Sequence, residues 1–365
     1  MLTEHSFHLT VLDVVAETED ACTVVLDPGE HAEAFAYRAG QFLTVAVPSD
    51  QTGVAARCYS LSSSPHDNGP LAITVKRTEG GYASNWICDN VKPGQSLQVL
   101  PPGGVFTPAS YDLDLLLFAG GSGVTPIISI ARTALAEGTG RLVIFYANRN
   151  ESSVIFAREL AEMASLHPDR VLVVHWLESV QGLPSQAQLK AFAAQYADFS
   201  AFVCGPAPFM KATVDALREL EFPRERRHQE KFISLGGNPF GAAHDAPAEV
   251  AEEVAEASTD AAVTDDAAVA EAGAGTHVVV ELDGDVYEYD DWDAGTTLLD
   301  YLEKKGVNSP YSCGEGECSA CAFRLLEGEV TMLRNEILDK GDLEDGLRLG
   351  CQAVPASETV RLTYN

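Results

Sequence analysis

Four cysteines near the C-terminus have types and spacing that could do chemistry. Cys313, Cys318 and Cys321 follow C-x4-C-x2-C, and Cys351 follows after 29 intervening residues. This is the ligand spacing of a plant-type [2Fe–2S] centre. The first three thiols lie in YSCGEGECSAC, a loop too short and glycine-rich for a helix or strand. Three thiolates on one tight loop can wrap a bulky anionic cluster only if the backbone bends sharply. Gly314 and Gly316 permit positive φ, and Ser319 and Ala320 leave room for backbone N–H groups to face the sulfurs. Structural zinc usually takes two C-x2-C pairs, and the second pair is missing here. A disulfide framework suits a short secreted chain, not this long, cysteine-poor one.

Three further groups look built for nucleotides. Arg57-Cys58-Tyr59-Ser60-Leu61 ends a predicted strand. A guanidinium fork matches phosphate oxygens, an aromatic ring offers a stacking face, and a small hydroxyl can hydrogen-bond a ring nitrogen without blocking it. Gly80-Gly81-Tyr82-Ala83-Ser84 leads into a predicted helix, SNWICDN. The small residues Gly81, Ala83 and Ser84 let a pyrophosphate approach backbone N–H groups; the plainer alternative is a turn with Ser84 as N-cap. Ala119-Gly120-Gly121-Ser122-Gly123-Val124-Thr125-Pro126 joins the strand LDLLLF to the helix IISIARTALAEG. Such a strand–glycine loop–helix unit places a dinucleotide pyrophosphate at a helix N-terminus. No Lys-Ser/Thr follows, so it is not a Walker loop, and Pro126 stands where G-x-G-x-x-G has its third glycine. Cys204-Gly205-Pro206 closes another strand, AFVCG; a lone buried cysteine more often packs than reacts, so Cys204 reads as a positioning residue. No Ser-His-Asp arrangement and no H-E-x-x-H stands out among the nine scattered histidines.

The elements that carry these groups divide the chain of 365 residues. Residues 1–108 alternate short β-rich runs (HLTVLDVV, CTVVLD, FLTVAV, LAITVKR, SLQVLPP) with turn residues, the rhythm of a small antiparallel barrel. Residues 109–240 switch to apolar strands (LDLLLFAG, RLVIFYAN, VLVVHWLE, AFVCG) alternating with helical stretches such as IISIARTALAEG and SVIFARELAEMASLH, a βαβ pattern that implies a parallel sheet. Residues 241–275 hold nine acidic residues, no Lys or Arg and no aromatic residue. This stretch cannot bury enough apolar surface to offset its ordering entropy, and it reads as an acidic tether. Residues 276–365 open with a hairpin signal, HVVVELDG and DVYEYD, and a helix, TLLDYLEKKG, with Gly306 as its C-cap. An α+β, β-grasp-like domain is expected there.

The net charge is −30, and residues 276–365 alone carry 7 basic and 19 acidic residues. Such a surface repels nucleic acid and anionic membrane and can attract a basic protein face, although acidity also serves solubility. No apolar run reaches the length of a membrane span, and the N-terminal MLTEHSFHLT lacks a signal-peptide pattern. A cytoplasmic location is expected, consistent with Cys22, Cys58, Cys88 and Cys204 as free thiols.

The R-x-Y-S string of Arg57, Tyr59 and Ser60 resembles the flavin motif of the ferredoxin reductase family. The loop through Gly121, Gly123, Thr125 and Pro126 resembles that family's G-x-G-x-T-P nicotinamide-nucleotide loop. With the cysteine spacing, the order of parts is similar to the reductase components of multicomponent ring-hydroxylating oxygenases. The strings QTGVAARCYSLSSSP, LAITVKRTEGGYASNW, YANRNESSVIF and VVHWLESVQGLPS resemble reductases that serve 3-ketosteroid hydroxylation; the long acidic tether departs from the pattern. The resemblance implies FAD, NADH and a [2Fe–2S] cluster as cofactors. Arg57 would meet the flavin phosphate, Tyr59 would pack on the isoalloxazine, and the Ser60 hydroxyl would approach N5. Cys204, with Gly205 and Pro206 opening the next helix, would stand beside the nicotinamide at the hydride-transfer locus, and Phe232 would lie near the flavin. Hydride arrives as two electrons, a cluster accepts one, and a flavin bridges the two. The implied partner is a terminal oxygenase with a Rieske centre and non-haem iron. Other acceptors stay open at this point, such as a desaturase, another hydroxylase or a hybrid-cluster protein, as does a non-enzymatic carrier or zinc-stabilised module. Arg149, near the second βα loop, keeps NADPH open beside NADH, since arginine can accept a 2′-phosphate.

Overall fold

Short runs rich in β-branched and apolar residues build the first sheet of the computed structural model. The structure describes residues 6–49, 53–67, 69–232, 239–240, 275–282, 284–307, 309–311, 314, 316, 319–338 and 340–364. The predicted tether falls almost wholly outside them, as do Cys313 and Cys318.

Six antiparallel strands come first: β1 (Phe7–Thr18), β2 (Ala21–Asp27), β3 (Phe42–Ser49), β4 (Gly53–Ser60), β5 (Leu71–Lys76) and β6 (Ser96–Val99), in the order β4-β3-β6-β1-β2-β5. The two ends of this sheet meet through a bridge between Leu61 and Ile73, which bends it into the expected barrel. Leu9, Val24, Leu43, Val45, Ile73 and Val99 fill its interior. The helix α1 (Ala83–Asn90) plugs it with Ile87, which is fully buried.

A five-stranded parallel sheet follows. Its strands are β7 (Leu115–Gly120), β8 (Leu142–Asn148), β9 (Val171–Leu177), β10 (Ser200–Cys204) and β11 (Arg227–Glu230), in the order β11-β10-β7-β8-β9. The central β7 is buried at all six residues, the apolar run a doubly covered strand requires. Its helices are α2 (Val124–Glu137), α3 (Ala157–Leu166), α4 (Glu178–Gln181), α5 (Gln186–Ala193) and α6 (Ala207–Glu219). The stretch SVIFARELAEMASLH is not helical throughout. Val154, Ile155 and Phe156 are buried in the core, Phe156 adopts a left-handed φ of 59°, and the helix starts only at Ala157. Apolar anchoring won over helical periodicity there.

The last sheet has the order β13-β12-β18-β14-β16, built from β12 (Thr276–Leu282), β13 (Asp285–Trp292), β14 (Ala322–Glu327), β16 (Leu347–Leu349) and β18 (Thr359–Thr363). Strands β15 (Val330–Met332) and β17 (Ala353–Pro355) form a separate pair. The parallel β12–β18 pair sits among antiparallel neighbours, and α7 (Leu298–Lys304) packs Leu298 and Leu302 into the same core as Trp292, which is the β-grasp-like arrangement. Gly306 follows this helix at φ 75°, the left-handed stop expected of it.

The third domain is docked on the other two. A short helix, α8 (Lys340–Glu344), places Asp342 against Gln229 Nε2 at 2.6 Å and Lys231 Nζ at 2.8 Å, and Asp345 lies 2.9 Å from Arg224. Ala320, next to Cys321, is fully buried and packs on Phe42 and Ala56 of the barrel, with Cys58 and Phe240 at the edge of the cluster.

Candidate functional site

The parallel sheet offers a binding crevice where chain direction reverses. From β7 the chain steps outward to β8 and β9, then returns to the other side of β7 for β10 and β11. Ligands of such sheets bind outside the carboxyl ends of the strands at this switch point, between β7 and β10. Both candidate loops stand there. Ala119 on β7 is paired with Cys204 on β10, and the Gly121–Gly123 turn and the Cys204–Pro206 turn pack directly together. A Cβ on Gly123 would overlap the Cys204 carbonyl, and one on Gly120 would lie 2.9 Å from Pro206 Cδ. Gly120 and Gly123 are therefore needed for the loop-to-loop contact. Gly121 itself takes φ 51°. Thr125 Oγ1 donates to the Ser122 carbonyl at 3.1 Å and braces the turn. Pro126 falls in the first turn of α2, where no intrahelical partner awaits its missing N–H.

Cys204 is completely buried, and burial first, then the nearby Glu230 carboxylate, push its thiol well above the usual range. Burial thus favours the neutral thiol of Cys204. Its register partner across β10–β11 is Glu230. Burial raises that carboxyl to about 8, so it is largely protonated at neutral pH. Sequence reasoning passed over Glu230, because nothing in HQEKF marks which residue points inward; the parallel register supplies that. Phe232 is 43% exposed.

On the barrel, β4 carries the second group. Burial raises the Tyr59 hydroxyl's pKa, against the opposing effect of Arg57. Ser60 is 2% exposed, and its Oγ has no hydrogen-bond partner. An orphaned buried hydroxyl is costly unless a bound group satisfies it. This is the fit expected of a flavin edge. Ser84 does not cap α1. It is the second helical residue, and its Oγ accepts from the Thr78 N–H at 3.0 Å, which folds the Gly80–Gly81 turn over the helix start. The α1 N-cap, Tyr82, provides no side-chain cap, so the first-turn N–H groups face the turn without one.

In the third domain, Cys321 and Cys351 place their Sγ atoms 3.3 Å apart. The Cys351 N–H lies 3.5 Å from Cys321 Sγ, and Gln352 Nε2 lies 3.7 Å from Cys351 Sγ. Gly314, Gly316 and Ser319 take φ of 72°, 77° and 54°, so the loop bends as its ligand spacing requires. Two converging, buried thiols with N–H donors behind them fit a [2Fe–2S] cluster. The fold thus brings the cluster loop to β3 and β4 through Ala320, and Ser60 is the register partner of Phe42 in that contact. A cavity of about 760 Å³ lies elsewhere, between the domains. It is lined by Ser200 and Arg227 at the amino ends of β10 and β11, away from the switch point.

Comparison with known proteins agrees with this arrangement. Residues 8–107 match an oxidoreductase FAD-binding domain, residues 117–215 an oxidoreductase NAD-binding domain, and residues 280–356 a 2Fe-2S iron-sulfur cluster binding domain. The chain is 51% identical over 98% of its length to the 3-ketosteroid-9-alpha-monooxygenase ferredoxin reductase component of Rhodococcus rhodochrous, covering 96% of that protein. It is 49% identical over its whole length to the corresponding component of Mycolicibacterium smegmatis, covering 98% of it. Phthalate dioxygenase reductase shares the three-part fold at a TM-score of 0.55, with 23% identity and 98% of both chains covered. The chain is an oxidoreductase with FAD, NAD and [2Fe–2S] domains, and it belongs to the family of monooxygenase ferredoxin reductase components.

Proposed function

We propose that the chain takes hydride from NADH and delivers single electrons to the Rieske-type oxygenase of a cytoplasmic 3-ketosteroid 9α-hydroxylase. The observation that carries this reading is the packing of Ala320, in the cluster loop, on Phe42 and Ala56 of the flavin barrel. Electron tunnelling needs proximity, and this contact supplies it without any intervening element. Bound FAD supplies the exchange between a two-electron donor and a one-electron acceptor.

The chain's own residues do the positioning. Gly121, Gly123, Thr125 and Pro126 hold the nicotinamide nucleotide's pyrophosphate at the start of α2. Cys204, Gly205 and Pro206 form the wall beside the nicotinamide, and the neutral Cys204 thiol keeps that wall free of charge. Arg57 holds the flavin phosphate, Tyr59 packs on the ring, and Ser60 donates to or accepts from its edge. Gly81, Ala83 and Ser84 shape the α1 end for the flavin pyrophosphate, and Phe232 closes the site. Cys313, Cys318, Cys321 and Cys351 hold the cluster. The functional units are residues 1–108, 109–240 and 276–365, with 241–275 as tether. Among the described residues no helix is long and apolar enough to cross a membrane.

The steroid assignment follows the two relatives at about half identity over nearly full length. Reconstitution tests it. With purified terminal oxygenase, NADH and a 3-ketosteroid, the 9α-hydroxylated product should form only when the reductase is present. Dye reduction by NADH without any product, across 3-ketosteroid oxygenases, would redirect the assignment to another acceptor.

A further inference from the structure

Arg149 follows β8 directly, and Ala147 of β8 pairs with Gly120 of β7, beside the dinucleotide loop. The Tyr146 hydroxyl donates to the Gly121 carbonyl at 3.0 Å, so the end of β8 and that loop form one surface. Asn148, 7% exposed, is buried beside the Tyr146 hydroxyl at the same strand end. In doubly wound nucleotide domains the end of the second strand faces the adenosine ribose. An arginine there accommodates the 2′-phosphate that separates NADPH from NADH.

Arg149 is not presented to a ligand in that way. Its Nη2 donates to Asp20 Oδ2 at 2.6 Å, across the boundary between the sheet domain and the barrel. Asp20 lies in the β1–β2 turn, and the same oxygen is 3.7 Å from Lys76 Nζ on β5. Thr18 Oγ1 donates to its other oxygen at 2.8 Å, which fixes the carboxylate between the two cations. Those hydrogen bonds and both cations outweigh desolvation and hold Asp20 below the usual carboxylate range.

We propose that Asp20, a residue of the flavin barrel, sets the preference for NADH by engaging Arg149 and opposing a 2′-phosphate with its own charge. The inference rests on NADH binding at the β7–β10 crevice and concerns only the far, adenosine end of that site. Without the carboxylate, Arg149 and Lys76 become a two-cation cradle that suits a phosphate dianion. Discrimination would then be a property of the contact between two domains, not of the nucleotide domain alone.

The test is Asp20→Asn in the full-length holoprotein, with ferricyanide as acceptor. The KM for NADPH should fall about tenfold, as expected when a like charge is removed beside a dianion at high effective dielectric. The kcat and the KM for NADH should hold. Adding Arg149→Leu to Asp20→Asn should reverse the gain, and Asp20→Glu should keep the wild-type preference. Calorimetric binding of 2′-AMP to the oxidised protein reads the same effect without turnover. It should tighten in Asp20→Asn, while 5′-AMP binding should not. An unchanged NADPH KM and unchanged 2′-AMP affinity in Asp20→Asn would overturn the proposal. Failure of NADH to reduce dye in the wild type would instead overturn the donor assignment, with the 2′-AMP comparison still deciding the role of Asp20.

Discussion

Glu230 and Cys204 are register partners on adjacent parallel strands, and both are buried at the carboxyl edge of the sheet. Burial keeps each in its neutral form, the thiol far above neutrality and the carboxyl at about 8. This edge of the crevice is thereby largely uncharged at neutral pH.

The pH dependence of stability should follow from Glu230. Its carboxyl has an ordinary value of 4.5 and rises to about 8 in the folded chain. Between those values the folded state holds a proton that the unfolded state has lost, so this group's contribution to stability falls as pH rises through that window. Glu230→Gln should flatten the decline. Thermal melts of both proteins from pH 5 to about 8 check it, and parallel curves would show that Glu230 ionises without cost.

Ser60→Ala should leave FAD bound and slow flavin reduction by NADH about tenfold, the effect of losing one hydrogen bond of roughly 1.4 kcal/mol in the transition state. Stopped-flow absorbance at the flavin band reads the rate. An unaltered rate would leave the orphaned hydroxyl as a packing feature only.

The cysteine spacing gives a separate expectation. Cys318→Ser and Cys351→Ser should each abolish acid-labile sulfide and the cluster's visible bands. The NADH-to-ferricyanide rate should survive, because the flavin barrel and nucleotide sheet lie outside the cluster fold. Full iron and sulfide content in Cys318→Ser would remove it from the ligand set.

The docked position of the third domain should depend on Asp342 and Lys231. Asp342 is 3% exposed and shared between Lys231 and Gln229. Asp342→Lys should weaken docking by about 2 kcal/mol and slow electron transfer from flavin to cluster. Lys231→Asp in the same chain should restore much of it. No rescue by the reversed pair would assign the loss to disruption of α8.

Much of this was legible in the residues. The glycine loop after LDLLLF joins β7 to α2 and the R-x-Y-S string ends β4, as local pattern indicated, because each needs a particular local backbone. What the sequence hid was long-range. SVIF looked helical because its apolar content is real, yet its side chains anchor into the core ahead of the helix. Ser84 looked like a cap, but it bonds the preceding turn. Glu230, the Asp20–Arg149 bridge and the seat of Ala320 on Phe42 depend on register and domain contact, which no periodicity encodes.

The acids of the third domain have two audiences. Asp342 and Asp345 hold the domain to Lys231 and Arg224 of its own body, while the remaining acidic surface is what any basic acceptor protein would meet. Mobile ions screen exposed charges beyond roughly 8 Å at physiological strength and act far less on buried pairs in contact. They dim the outer attraction, which delays the next encounter, and leave the inner grip nearly intact. Coupled turnover should therefore fall as salt is raised, while dye reduction stays level. The ionic composition of the medium would act as a throttle on how long each electron waits inside the protein.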